Sequence, residues 1–124
     1  IMALGKIKAD TLEHSTAGSV DTQYVVNGSA KAWMQFDGSS NTVNESFATS
    51  SLTDNATGRW SANLSNAFTN DNFAHNVSST ASTYNTSIDS GYLGASKASL
   101  RVRNDAGTYN DTDGCVLVCH GDLA

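Results

Sequence analysis

The chain has 124 residues, a formal net charge of −5 and two cysteines, which bounds it to one domain with at most a short appendage. Leu, Ile, Val and Phe together number 23, just under the roughly 20% level below which a chain struggles to bury enough surface. Disorder would also want a high net charge, and an acidic chain lacks the clustered Lys and Arg of a nucleic-acid binder.

Ser, Thr and Asn make up about a third of the residues, and Pro is absent. Thr favours strands, whereas Ser and Asn favour turns and solvated faces. That composition predicts an all-β protein with a thin core, of the kind that partner chains supplement by adding burial. No apolar run reaches the length of a membrane span, so membrane insertion is not expected. The opening "IMALGK" shows no basic n-region followed by an apolar h-region. With Ile ahead of Met, it reads as a fragment or a processed product.

Along residues 1–24, Leu4, Ile7, Leu12 and Val20 are isolated apolar points. "KIKADTLEH" fits a helical turn or an extended segment, and "STAG" and "GSVDT" are turn material. This stretch is read as an N-terminal arm or stalk packing on neighbouring chains, with a head domain over residues 25–124. The head opens on "AKAWMQFD", where Ala30, Ala32, Met34 and Phe36 share one face. "TVNESFAT" places Val43, Glu45 and Phe47 on one side. "SSLTDNATGRWSANLS" is a hairpin whose loop, "DNATG", closes in a left-handed residue at Gly58. Trp60, Ala62 and Leu64 then share a face.

Phe73, His75 and Val77 alternate in "NFAHNVSS". Residues 78–96 read as a long polar loop. "KASLRVRND" is a strand with Leu100 and Val102 inward and Arg101 and Arg103 outward, followed by a loop over residues 104–114. "CVLVC" is a continuous apolar strand, the pattern of a strand covered on both faces. Four residues along a strand separate Cys115 from Cys119 by roughly 13 Å. A disulfide needs Cα atoms within about 7 Å, so both thiols should be free and buried, as suits a reducing cytoplasm. Six to eight short strands with turns between them predict a small antiparallel β-sandwich-like fold.

Three stretches in order carry a resemblance: "HSTAGSVDTQYVVNGSAKAWMQFDG", "SFATSSLTDNATGRWSANLSNAFTNDNFA" and the terminal "VCHGDLA". Together they resemble the distal, receptor-binding region of phage tail fibre proteins of the marine-phage type, from about His14 to Ala124. "RW" after the hairpin glycine departs from that pattern, where an acidic or polar residue precedes the aromatic. The Cys-rich "CVLVCHG" departs from it too. The resemblance implies a homotrimeric virion fibre tip, assembled in the bacterial host cytoplasm. It would join other virion proteins through its N-terminal arm and contact a glycan or protein on the host surface. A capsid or neck fibre, or a head decoration protein, is the alternative.

An enzyme needs a constellation, and none is visible. There are two Glu, and ten Asp that sit mostly in turn-like contexts, where Asx hydrogen bonds account for them. A glycosidase pair needs no sequence proximity, but there is no G-x-S-x-G, H-E-x-x-H, C-x-x-C or phosphate loop. "NDTDG" at 110–114 offers Asp111 and Asp113 two residues apart, without the distal Glu of a calcium loop. His14, His75 and His120 are scattered, although a three-fold axis could gather three copies of one His around a metal. No metal or cofactor is expected. Seven N-x-S/T triplets, at Asn27, Asn44, Asn55, Asn63, Asn76, Asn85 and Asn110, follow from composition. For receptor contact the candidates are loop tyrosines, Tyr84, Tyr92 and Tyr109, because a ring face suits a sugar's apolar face while Asn and Asp take its hydroxyls. Trp33 and Trp60 are expected at strand or subunit interfaces.

Overall fold

Alternation of apolar side chains builds this molecule strand by strand, and each run finds its partner across an antiparallel ladder. The computed structural model describes residues 5–124; Leu4 and the expected abrupt start lie outside them. After an extended lead come β1 (Thr11–His14), β2 (Gly18–Asp21), a two-turn helix α1 (Thr22–Gly28), β3 (Ala32–Asp37) and β4 (Thr42–Phe47). Then follow β5 (Thr49–Ala56), β6 (Arg59–Leu64), β7 (Ala74–Ser79), β8 (Tyr84–Ile88), β9 (Lys97–Asn104) and β10 (Cys115–His120).

β1 and β2 form a separate two-stranded hairpin. The remaining strands form two four-stranded antiparallel sheets, ordered β4-β3-β10-β7 and β5-β6-β9-β8. The protein is therefore all-β and antiparallel. Between the sheets lies one core: Met34 and Phe36 from β3, Leu117 from β10, Trp60 from β6, and Leu100 and Val102 from β9. The expected inward faces of β3, β6 and β9 are all observed. Phe36 meets Trp60 edge-on, with ring centroids 5.6 Å apart, a favoured aromatic geometry.

"KIKADTLEH" is extended and runs into β1 rather than forming a helical turn. The expected division between residues 24 and 25 falls inside α1, and the entry strand begins at Ala32. No residue of α1 is buried.

Four local readings need correction. In β4, Glu45 pairs with Gln35 but Val43 pairs with Phe36. One extra residue, Asn44, is accommodated there as a bulge, and bulges re-aim side chains; Val43 therefore leaves the side shared by Glu45 and Phe47. The hairpin loop is Thr57–Gly58 rather than the whole of "DNATG", because β5 continues through a bulge as far as Ala56. Gly58 adopts the expected left-handed conformation, φ +66°. Residues 78–96 are not loop throughout, since β8 lies inside them and pairs with β9 along its whole length. Its inward residues include Tyr84 and Thr86, opposite Asn104 and Val102, so polar composition concealed a strand. Finally, β10 is covered on one face only. Cys115, Leu117 and Cys119 have no exposed surface, while Val116 and Val118 are half-buried on the other side. Both thiols are free and buried.

Candidate functional site

Of the three tyrosines, the fold gathers two. Tyr92 stands on the connection between β8 and β9, and Tyr109 on the connection between β9 and β10, where it bridges to Arg103. Both rings lie against Arg59, the first residue of β6. The guanidinium carbon is 4.7 Å from the Tyr92 centroid and 5.1 Å from that of Tyr109. Arg103 also lies over Tyr109, at 5.6 Å. Cation–π contacts at these distances favour one fixed arrangement of rings and charge. Tyr84 is elsewhere: it begins β8 and packs, half-buried, against the core.

The strand register explains why Arg59 can occupy this place. Arg59 pairs with Arg101 across β6 and β9, and Ser61 with Ser99, so these side chains share the outer face of their sheet. Arg59 crosses that face to Asp89, donating from Nε to Oδ2 at 2.6 Å and from Nη2 to Oδ1 at 2.8 Å. The two-pronged geometry matches a planar guanidinium to a carboxylate. Asp89 has 1% of its side chain exposed, Arg59 25%. The Asp89 backbone is tied down as well, because its carbonyl accepts the Ser99 hydroxyl at 2.6 Å and the Tyr92 N–H at 3.1 Å.

The Arg59 guanidinium holds the Asp89 carboxyl below the ordinary carboxylate value, against burial, and the Gly91 N–H helps. Reciprocally, Asp89 raises Arg59 further above its already high value. Both groups stay ionised in neutral solution. Arg101 donates from Nε to Ser87 Oγ at 3.0 Å. Tyr92 and Tyr109 are thus half-buried, with guanidinium groups lying over their rings.

The Asp-rich loop serves structure. Asp111 Oδ1 accepts the Gly58 N–H at 2.7 Å, and the Asp113 carbonyl accepts the Thr80 hydroxyl at 3.1 Å. Among the described residues no three His, Cys, Asp or Glu side chains are placed to hold a metal ion. His14 caps the β1–β2 turn by accepting the Ala17 N–H at 3.1 Å. His75 approaches the Ser99 carbonyl at 3.3 Å, and His120 lies at the end of β10, so the three are not brought together. Among the described residues no helix is long and apolar enough to cross a membrane.

Arg59 and Asp89 were missed as site residues by sequence reasoning. They are 30 residues apart, beyond any local pattern. The signal that existed was the "RW" departure, which falls on the residue that Asp89 pairs with. Comparison with protein-family models, with curated proteins and with solved structures gives no match.

Proposed function

We propose that this chain is the head of a phage virion fibre: a non-enzymatic, homotrimeric tip that binds a glycan or protein on the host surface. The ordered stretches from His14 to Ala124 supply the resemblance. The observation that carries the trimer is the uncovered apolar surface of the N-terminal segment. Ile7 is 92% exposed, Tyr24 65% and Val26 62%, and α1 carries no buried residue to hold it in place. A seven-residue helix is marginal in water without a packing partner. Neighbouring copies meeting along this arm would supply one, and the same arm would join the tip to other virion proteins.

A second apolar surface supports the same reading. Trp33 pairs with Phe47 on one side and Val118 on the other, so all three face away from the core. Phe47 is 55% exposed. Exposed patches of this kind mark interaction surfaces. The missing cover over β10 then comes from a neighbouring subunit.

Receptor contact is assigned to Tyr92 and Tyr109 around Arg59, on connections held by a rigid sheet, where binding residues concentrate. Three copies of a weak contact on one fibre raise avidity by roughly two to four orders of magnitude. Light scattering tests the assembly: three times the 13.0 kDa chain mass is expected, and a monomer at micromolar concentration refutes it. Antibody raised against the chain should label fibre tips on intact virions and block adsorption. Labelling over the capsid surface would instead assign a decoration role.

A further inference from the structure

We propose that the groove between the loop at residues 68–74 and the end of β10 binds a neutral, hydroxyl-rich ligand of mono- or disaccharide size. The site is separate from the tyrosine–arginine cluster and does not depend on the virion reading.

The groove is built by stitching the last residues onto the loop after β6. Thr69 donates its N–H to the Asp122 carbonyl at 2.9 Å and its hydroxyl to the same oxygen at 3.1 Å. Ala124 N–H donates to the Ala67 carbonyl at 2.9 Å, and Phe68 bridges to Leu123. The walls are therefore held by backbone pairing. The floor is aromatic: Phe68 and Phe73 stack with centroids 4.2 Å apart and planes 14° from parallel. Gly121 lets the chain pass directly over this pair, since a Cβ there would sit 2.9 Å from Phe73 Cβ and 3.2 Å from the Phe68 ring.

Around this floor stand Asn27, Asn70, Asn72, His120 and Asp122, bordering an open groove of about 470 Å³. That volume is within the usual range of small-molecule sites. Asn70 Oδ1 accepts the Asn72 N–H at 2.9 Å, which fixes the turn, and the Asn70 amide N–H groups have no hydrogen-bond partner among the described residues. The Asn72 and Asp122 side chains are exposed and make no hydrogen bond of their own within the described residues. Asparagine both donates and accepts, and carboxylate accepts, which matches adjacent sugar hydroxyls acting in both senses. The half-buried Phe73 ring, stacked on Phe68 and 5.2 Å from the His75 ring, adds apolar surface to the groove wall against which the C–H groups of a pyranose can rest. Asp122 disfavours an anionic ligand by like-charge repulsion.

The test is a titration of the isotopically labelled intact chain with neutral hexoses, N-acetylhexosamines, their disaccharides, and uronic and sialic acids, followed by amide NMR. The expected result is saturable shifts confined to residues 68–74 and 120–122, produced by at least one neutral sugar at millimolar concentrations. Asn72→Ala and Asp122→Asn should each weaken that binding several-fold while leaving the rest of the spectrum unchanged. Tyr92→Ser with Tyr109→Ser should not alter it. The proposal is overturned if no neutral sugar shifts these residues at tens of millimolar, if only the acidic sugars do so, or if both groove variants bind like the parent. Failure of the trimer or of adsorption would leave these outcomes unaffected.

Discussion

The indole N–H of Trp60, a residue with no exposed surface, donates to the side-chain oxygen of Asn41 at 2.8 Å. Asn41 reaches it from an exposed turn in the left-handed conformation, φ +56°, which Asn tolerates better than most residues. Its amide nitrogen donates to Asp54 Oδ2 at 2.8 Å, so one side chain links the β3–β4 turn to both strands of the next hairpin. Asn41→Ala leaves the buried indole without its protein acceptor, which should cost about 1–3 kcal/mol. Urea unfolding followed by Trp fluorescence checks this. A lower midpoint with unchanged slope is expected, and an unchanged midpoint refutes the role.

Gly58 closes the β5–β6 hairpin under two constraints. Its φ is +66°, and a Cβ there would meet the Asn110 backbone nitrogen at 2.7 Å and the Val102 carbonyl oxygen at 2.8 Å. A β-branched residue at positive φ alone costs on the order of 1–3 kcal/mol. Gly58→Val should therefore lose at least that much, with Gly58→Ala intermediate. If thermal melts place Gly58→Val beside the parent, the hairpin register is wrong.

His75 and Asp89 make stability fall on acidification in separate windows, and Asp37, lowered chiefly by the Ser40 N–H, adds to the lower one. Burial holds the His75 imidazole below its ordinary value of 6.5, opposed by the Ser99 carbonyl. The unfolded chain binds that proton first, so stability declines as pH drops below about 6.5. Asp89, held below 3.8 chiefly by Arg59, contributes fully above its unfolded value and loses that contribution as pH falls through its lower folded value. His75→Gln should flatten the upper part of a denaturation-midpoint profile, and Asp89→Asn the lower part. A parent profile that is flat from about pH 7 to pH 3 would contradict both assignments.

Burial pushes the Cys115 and Cys119 thiols up to about 12. At about pH 8 the thiolate is then only on the order of one part in ten thousand, and the thiolate is the reactive form. The folded chain should resist thiol reagents, and denaturation should release both cysteines at once. Reaction of either thiol before unfolding would show that β10 opens locally.

What was legible in the sequence followed one rule. Where a strand covers the core with aliphatic or aromatic residues on one face, as at Met34–Phe36, Trp60–Leu64 and Leu100–Val102, alternation located it. β8 escaped because its inward positions include Tyr84 and Thr86, which read as loop chemistry. Placing Tyr84 on a loop made it a surface candidate, whereas its ring packs on the core. Tyr92 and Tyr109 were named one by one. Their meeting around Arg59 depends on two connections that converge only after β6, β8 and β9 have paired, and no local spacing encodes that. Asn44 in its bulge is similar, because an extra residue leaves the alternation of neighbouring side chains unchanged on paper and reverses it in space.

The place of β10 in its sheet has a consequence for biosynthesis. This strand is inserted between β3 and β7, with Leu117 opposite Met34 on one side and Val77 on the other. Synthesis delivers β3 and β7 first, so the facing edges of both stay unpaired until residues 115–120 have left the ribosome. Contacts that span such a length of chain form slowly, and unpaired strand edges invite aggregation meanwhile. A nascent chain halted before residue 115 would have every strand of the β5-β6-β9-β8 sheet but would leave β7 without a partner and β3 with an open edge, a target for chaperones.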